Sequence, residues 1–285
     1  MAGQLRYPGK VVIVTGGTSG IGLVIVREFV RQGANVVFCS EPSQVEVGEA
    51  IQRELQNCGC PGDAYFQVCD VCNETDIKRL ILVTVERYGC LDCLVNNAGD
   101  AYAEKIDDVT AQEFRRVLKL NTLSVLLASK YALPYLRETR GNIVNIGGID
   151  GVFGMNNIVS HASSKGAVIA MTKTLAIDES KYGVRVNCIS VGHIWTPMNE
   201  RYINQFPDPE ATLEDGKSYQ LLGRLGTPEE VALAALYLAA DGTFCTGFDL
   251  LLTGGAEVGF GIKNLADLKT GPRPSGNLQG SSSKQ

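Results

Sequence analysis

The stretch SHASSK, residues 160–165, brings together two residues that can take part in proton transfer. His161 and Lys165 lie four positions apart, so on a helix their side chains share one face, one turn apart. A proton donor or acceptor beside a lysine ammonium is a common arrangement in acid/base sites. Ser163 and Ser164 point away from that face. The spacing predicts that His161 and Lys165 share a site.

A second chemical signal is the segment TGGTSGIG, residues 15–22, which follows the apolar run KVVIVT and opens a helical pattern. Glycines in such a turn let the backbone approach a pyrophosphate, whose charge lies at the positive end of the helix. The alternative is a plain glycine-rich turn. We predict a dinucleotide site here, with cofactor-binding residues Gly16, Ser19, Gly20, Ile21 and Gly22.

The end of the second apolar run bears on which dinucleotide binds. Dinucleotide-binding folds place an acid there for the adenosine ribose, whereas NADP users place a basic residue there or nearby. This chain has Ser40 followed by Glu41, and no arginine or lysine lies in the glycine loop or directly after the run. The pattern favours NAD over NADP. Ser40 is a poorer ribose partner than aspartate, and a junction without cofactor preference is the alternative.

Short β-branched runs alternate with longer helical patterns, which is typical of repeated βαβ units. The candidate strands are residues 10–15, 35–40, 64–69, 93–97, 142–147, 184–190 and 248–255. Between them lie stretches with apolar stripes near the helical period. We predict an α/β fold of the Rossmann type, doubly wound, with a seven-stranded parallel sheet and helices on both faces.

Length and composition give the domain organisation. The 285 residues suit one large domain, expected over residues 1–263. Residues 264–285 are rich in Gly, Ser, Pro and Lys, and a disordered tail is expected there. Residues 195–217 break the strand/helix alternation, which predicts a mobile lid or substrate-side insertion.

Charge and cysteine usage exclude several classes of partner. The net charge of -5 offers no general attraction for nucleic acid or anionic membrane. The first residues lack the apolar core of a signal peptide, so a cytoplasmic location and nine reduced cysteines are expected. Cys58, Cys60, Cys69 and Cys72 form a poor zinc set, because no histidine is near in sequence. We expect no metal.

Five motifs in order carry a family resemblance: TGGTSGIG, CDV at 69–71, NNAG at 96–99, KLN at 119–121 and HASSK at 161–165. With them, the chain resembles the short-chain dehydrogenase/reductase family over about residues 10–261. The phrases ALPYLR, YGVRVNCIS, IWTP and FCTGFDLLLTGGAE are similar to those of its animal 17-beta-hydroxysteroid dehydrogenase type 14 group, also described as L-fucose dehydrogenase. The resemblance implies an oxidoreductase scaffold with a nicotinamide cofactor and a small-molecule substrate or ligand.

The resemblance also implies residue roles. Asn121 would support a water-linked proton relay, and Lys165 would bond the nicotinamide ribose. Val191 stands where the family has a proline, a change expected to loosen the following loop. The remaining cofactor-binding residues would be Asp70 and Val71 at the adenine, Asn97, Ala98 and Gly99 at the cofactor floor, and Ile194 and Thr196 at the nicotinamide end.

The resemblance is weakest at the reaction centre. Active relatives have tyrosine where this chain has His161, and serine thirteen residues earlier, where this chain has Gly148. Losing one preorganised donor to the substrate oxygen costs ~10²- to 10³-fold in rate. Histidine has an ordinary pKa near 6.5, which positive neighbours lower, so a neutral imidazole remains able to accept a proton. It is shorter than a phenol, however, which moves it back from the substrate.

Two functions stay open. The main expectation is a protein with an NAD-type cofactor site, a degraded acid/base site and weak or absent turnover, which acts by binding or assembly. In it His161 bonds Asn121, Lys165 or water, or contacts a bound ligand. The alternative is an active NAD-dependent dehydrogenase of a secondary alcohol, a hydroxysteroid or a sugar, with His161 as acid/base. Tyr102 and His193 are either substitute donors or pocket walls. The resemblance further implies a homo-oligomer, tetramer or dimer.

Overall fold

The computed structural model describes residues 4–259, and its centre is one parallel sheet. The strand order is β3-β2-β1-β4-β5-β6-β7, with parallel pairing throughout. The strands are β1 Val11–Thr15, β2 Asn35–Ser40, β3 Asp63–Val68, β4 Cys93–Asn96, β5 Asn142–Ile146, β6 Arg185–Val191 and β7 Asp249–Leu252. This architecture confirms the predicted fold class. The prediction succeeded because strands of a parallel sheet are covered on both faces and therefore consist of short apolar, β-branched runs.

Ten α-helices within the described residues cover the two faces of the sheet. They are α1 Gly20–Arg31, α2 Val45–Asn57, α3 Glu74–Tyr88, α4 Ala111–Leu118, α5 Ser124–Thr139, α6 Asp150–Phe153, α7 Val159–Glu179, α8 Pro197–Ile203, α9 Pro209–Ser218 and α10 Pro228–Leu236. Alternate strand residues serve opposite faces. Val12 and Val14 pack with α1, α2 and α10, whereas Val11 and Ile13 pack with α3, α5 and α7.

The helical stretch after β4 is interrupted. Between α4 and α5 the chain makes a π-helical turn at Lys119–Leu123, where the sequence pattern suggests one unbroken helix. A π-turn carries one extra residue and rotates the side chains that follow it, and such turns occur often at functional sites. Asn121 lies at the middle of this turn and is almost completely buried.

The expected insertion at residues 195–217 contains α8 and all of α9 except its last residue. Tyr202 and Ile203 of α8 form a small apolar cluster with Ile158. The segment therefore packs over the end of the chain that leads into α7. Its mobility stays a prediction.

Val191, after which a looser loop is expected, lies in a strand, and the looseness of the following loop stays a prediction. Val191 is the last residue of β6, in register with Leu252 of β7, and its carbonyl accepts a hydrogen bond of 2.9 Å from the N–H of Ile149. Unlike proline, valine has a backbone N–H group and a β-branched side chain that suit a strand. The strand thus continues to the start of the segment that leads to Thr196.

The expectation that all nine cysteines are reduced is wrong for two of them, Cys58 and Cys60. Cys58 and Cys60 form a disulfide across the turn at Gly59, with Cα atoms 5.4 Å apart. The other seven cysteines are free thiols. Within residues 4–259, no cluster of three or more His, Cys, Asp or Glu side chains is arranged to hold a metal ion.

Several sequence-based expectations extend past the described residues. The tail at residues 264–285 lies outside them, as does the end of the predicted domain at residue 263. No helix between residues 4 and 259 is long and apolar enough to cross a bilayer. The cytoplasmic location stays a prediction.

The core on the α1 face gives a stability prediction. Phe29 is fully buried in α1 and contacts the ring of Tyr7, whereas Phe244 is fully exposed. Phe29→Ala removes apolar burial and leaves a cavity, so the free energy of unfolding falls by about 3–5 kcal/mol. Phe244→Ala changes it by less than about 0.5 kcal/mol. Urea unfolding followed by circular dichroism measures both, and equal effects would contradict the assigned core.

Candidate active site

The cleft opens where the strand order reverses. From β1 the chain continues to β2 and β3 on one side, and from β4 it continues to β5, β6 and β7 on the other. Such a reversal leaves a crevice beyond the carboxyl ends of the strands. Here the crevice has a volume of about 930 Å³.

The structure brings most of the predicted site residues to this cleft, although their roles stay predictions. Two of them, Gly22 and Asn121, are instead packed behind its wall. Those that line it are Gly16, Ser19, Gly20, Ile21, Ser40, Asp70, Val71, Asn97, Ala98, Gly99, Gly148, His161, Lys165, Ile194 and Thr196.

The turn between β1 and α1 has the properties of an anion site. Ser19 is the N-cap of α1, but its side chain caps no N–H group, and the first turn holds no acid. The positive end of the helix is therefore uncompensated by the protein at the cleft. A Cβ on Gly22 would lie 2.2 Å from the carbonyl oxygen of Gly16, so only glycine permits this tight turn. The turn is further held by Asn97, whose Nδ2 donates to the carbonyl oxygens of Thr15 and Gly16.

Asn121 holds the backbone segment that passes the His161 end of the cleft. Its Oδ1 accepts from the N–H of Asp100 at 3.0 Å, and its Nδ2 donates to the carbonyl of Asp100 at 2.9 Å and to Ser164 Oγ at 3.0 Å. Both amide protons are thereby used. Nδ2 also lies 3.4 Å from His161 Nδ1, but it has no proton left for that nitrogen.

The hydrogen bonds of Asn121 decide which nitrogen of His161 carries a proton. Nδ1 lies 2.9 Å from the carbonyl oxygen of Asp100, which can only accept a hydrogen bond. Nδ1 therefore donates. The other nitrogen, Nε2, lies 3.5 Å from the Oδ2 atom of Asp150. Burial lowers the pKa of His161, the Asp150 carboxylate raises it, and the Lys165 ammonium lowers it.

Lys165 lies one turn along α7 and is buried. Its Nζ donates to the carbonyl of Ile146 at the end of β5, at 2.9 Å. Burial lowers the pKa of Lys165 and the Asp150 carboxylate raises it. The ammonium is thus fixed at the base of the cleft with protons left for a ligand.

Asp150 is the functional candidate that sequence reasoning missed. It lies two residues after Gly148, at the start of α6, and it lines the cleft. Its Oδ1 lies 2.5 Å from the place that a Cβ on Gly148 would take. The carboxylate therefore occupies the space that a side chain at residue 148 would need. The available signal was an acid just past the carboxyl end of a central strand, where α/β folds place ligands.

Tyr102 and His193 also line the cleft. The Tyr102 hydroxyl donates to the Asp100 carboxylate, and the Arg116 guanidinium lies 4.7 Å from its ring centre. The ring centre of His193 lies 6.4 Å from that of Tyr219, with the two rings tilted at 45°, and burial lowers the pKa of His193. Their contacts agree with a role in the pocket wall.

The comparisons with known proteins agree on the family. A family model described as enoyl-(acyl carrier protein) reductase matches residues 16–257. The chain is 51% identical to the L-fucose dehydrogenase of Bos taurus over 264 residues, which cover 92% of this chain and 95% of that protein. It is 49% identical to the L-fucose dehydrogenase of Mus musculus over 264 residues, with 92% and 94% covered. The crystal structure of levodione reductase superposes with a TM-score of 0.85 at 27% identity, covering 90% of this chain and all of that one.

The fold and the cleft are those of a dinucleotide-dependent oxidoreductase. The chain belongs to the short-chain dehydrogenase/reductase family. A nicotinamide cofactor follows from that membership, and the residues present fit one: an uncapped helix end for the pyrophosphate, a turn closed to any side chain at Gly22, and a long cleft at the strand reversal.

The glycine turn generates a binding prediction. Gly22→Ala places a methyl group against the Gly16 carbonyl, so the turn must open and the helix end must move. We expect NADH binding to weaken at least about tenfold, the equivalent of one lost hydrogen bond to a charged group. Titration followed by NADH fluorescence measures the dissociation constant. Gly59→Ala, at a turn remote from the cleft wall, is the control, and similar losses for both variants would contradict the prediction.

Proposed function

We propose that the protein is an active, NAD-dependent dehydrogenase that oxidises a secondary alcohol, with a sugar of the L-fucose type as the first substrate to test. The observation that carries this proposal is the ordered proton-transfer group at the end of the cleft, in which Asn121, Asp100 and His161 are joined by hydrogen bonds. Relatives named L-fucose dehydrogenase, about half identical over nearly the whole chain, support it.

These observations favour an active dehydrogenase with His161 as acid/base over a protein with a degraded site. A histidine left over in an emptied cleft would have no need for a fixed tautomer and a buried acidic neighbour. His161 instead has Nδ1 held by the Asp100 carbonyl and Nε2 directed at the Asp150 carboxylate. Weak or absent turnover is therefore the second candidate, to be decided by the assay below.

In the proposed reaction the chain's residues handle the proton. A bound nicotinamide supplies the hydride acceptor. His161 Nε2, when unprotonated, accepts the proton of the substrate hydroxyl, and Nδ1 keeps its proton on the Asp100 carbonyl throughout. The Lys165 ammonium, buried nearby, stabilises negative charge that develops on the substrate oxygen.

The preference for NAD rests on the adenosine end of the cleft. The Thr18 hydroxyl donates to Ser40 Oγ at 3.0 Å, and Glu41 lies on the cleft wall beside them. Within the described residues, the β1–α1 turn and the segment after β2 contribute no arginine or lysine to the wall. A 2'-phosphate would face the Glu41 carboxylate with no cation from these segments.

We also propose a homo-oligomer. It is supported by the exposed side chains Leu126 of α5 and Ile177 of α7, because a contact between copies through these two long helices would bury them.

The first prediction of this proposal concerns turnover. Purified protein is expected to reduce NAD with L-fucose, and His161→Gln lowers kcat by about 10²- to 10⁴-fold, because the proton acceptor is lost. Ser163→Ala, exposed on the opposite side of the same helix, stays within about twofold. NADH absorbance follows the rate. Absence of turnover on sugars, hydroxysteroids and simple alcohols, in protein that binds NADH, would establish the degraded site instead.

The second prediction concerns the cofactor. Wild type is expected to bind NADH more tightly than NADPH, and Glu41→Arg strengthens NADPH binding by about tenfold, because a cation replaces an anion near the 2'-phosphate. Glu46→Arg, exposed on α2 and outside the cleft wall, makes the same change in net charge and leaves both affinities as they are. Calorimetric titration measures them. A wild-type preference for NADPH would refute the assignment.

A further inference from the structure

The carboxylate of Asp150 lacks a partner that its surroundings demand. The side chain is only 12% exposed, and its Oδ2 is buried and makes no hydrogen bond. The nearest cationic candidate is His161 Nε2, 3.5 Å away, on a side chain that is 14% exposed. A buried carboxylate oxygen is unfavourable unless a donor or a positive charge faces it.

The protonation of His161 follows from the contacts around it. Nδ1 is already a donor, because it faces the Asp100 carbonyl and Asn121 has used both of its amide protons. A neutral imidazole of this tautomer would turn the lone pair of Nε2 towards the Asp150 carboxylate, which is repulsive. A second proton on Nε2 converts the repulsion into an ion pair.

We propose that Asp150 is the positioning residue of His161 and that the two side chains act as one acid/base pair. The inference rests on the proposed function. The carboxylate lies 3.5 Å from Nε2 and favours a proton there, although burial lowers the pKa of His161 overall. In carbonyl reduction the substrate carbon takes a hydride from the reduced nicotinamide, and the substrate oxygen takes the Nε2 proton. In alcohol oxidation the hydroxyl proton would return to the unprotonated Nε2, and the hydride would pass from the carbon to a bound oxidised nicotinamide.

Gly148 belongs to this arrangement. A Cβ at residue 148 would lie 2.5 Å from Asp150 Oδ1, closer than non-bonded carbon and oxygen atoms can approach. A side chain at residue 148 would therefore move the Asp150 carboxylate from its position beside His161. The absence of a side chain at residue 148 makes room for a different proton-transfer group.

The charges around His161 and Asp150 determine the direction in which the pKa of His161 moves when the Asp150 carboxylate is removed. Three charged groups surround His161: Asp150 of α6, Lys165 of its own helix α7, and Asp100 of the segment after β4. Arg201 of α8 lies 3.5 Å from the Asp100 carboxylate. His193 and Tyr202 lie close enough to Asp150 to interact with its charge. Asp150 raises the pKa of His161 against burial and Lys165, so its removal lowers that pKa further.

The decisive experiment needs no substrate. The chain has two histidines, so ¹⁵N spectra of histidine-labelled protein resolve His161 and His193, with His161→Gln for assignment. In wild type, neutral His161 is expected as the Nδ1–H tautomer, with a second proton added on lowering the pH. In Asp150→Asn the titration midpoint of His161 moves to lower pH. The control variant is Asp178→Asn, at an exposed position on the helix of His161 and about 25 Å from it along the axis, and it leaves the His161 midpoint unchanged.

An unchanged or higher midpoint in Asp150→Asn, or a neutral wild-type imidazole protonated at Nε2, overturns the proposal. If Asp150→Asn does not fold, Gly148→Ser replaces it, because it displaces the same carboxylate and must move the midpoint in the same direction. A midpoint that stays in place in Gly148→Ser overturns the proposal equally.

The activity arm separates this inference from the proposed function. With a turned-over alcohol, the pH profile for oxidation shifts to lower pH in Asp150→Asn, since the base loses its proton earlier. Carbonyl reduction at neutral pH loses about tenfold for each pH unit by which the midpoint falls. If no substrate is turned over, the proposed function fails, while the spectra still decide whether Asp150 controls His161. If an active Asp150→Asn variant keeps the wild-type pH profiles, the proposal that Asp150 and His161 act as a pair is overturned, and the proposed dehydrogenase function stands.

Discussion

The pairing of the Asn121 amide with the backbone of Asp100 is the interaction on which the site depends. It fixes the segment after β4, and through the Asp100 carbonyl it fixes the tautomer of His161. The amide can reach both backbone groups because it lies at a π-helical turn, buried between the helices. A regular helix would rotate the side chains after this point and break the pairing.

The surroundings of Gly148 and His161 differ from what the sequence alone predicts. From the sequence, a glycine and a histidine at these positions predict a site without its acid/base groups. In three dimensions the Asp150 carboxylate fills the space beside Gly148 and faces the His161 imidazole, so the three residues form one local arrangement. Compensation of this kind is expected where a buried polar group must keep a partner.

The cofactor end and the reaction end of the cleft are built on different principles. At the glycine turn the backbone itself provides the site, through an uncapped helix end and a close approach at Gly22. At the reaction end the side chains provide it, through a buried network of His161, Lys165 and Asp150. Backbone sites leave a strong sequence pattern, because glycine is the only residue that permits them. Side-chain networks depend on partners that are distant in sequence.

The sequence by itself determined the seven strands, the doubly wound fold and the cofactor turn. Those features rest on local periodicity and local backbone geometry: β2 has the bounds that NVVFCS predicts, and the glycine loop follows directly on β1. The sequence also brought His161 and Lys165 together, because four-residue spacing on a helix is local.

Only the tertiary structure decided what surrounds them. Asp100, Asn121 and Asp150 come from three separate segments, and the direction of the Asp150 side chain, set in a turn after β5, has no periodic signature. The strand character of Val191 and the disulfide at Cys58 likewise follow from neighbours and turn geometry that a linear pattern does not contain. Long-range packing brings Asp100, Asn121 and Asp150 to His161, and residue types and spacing alone do not contain those contacts.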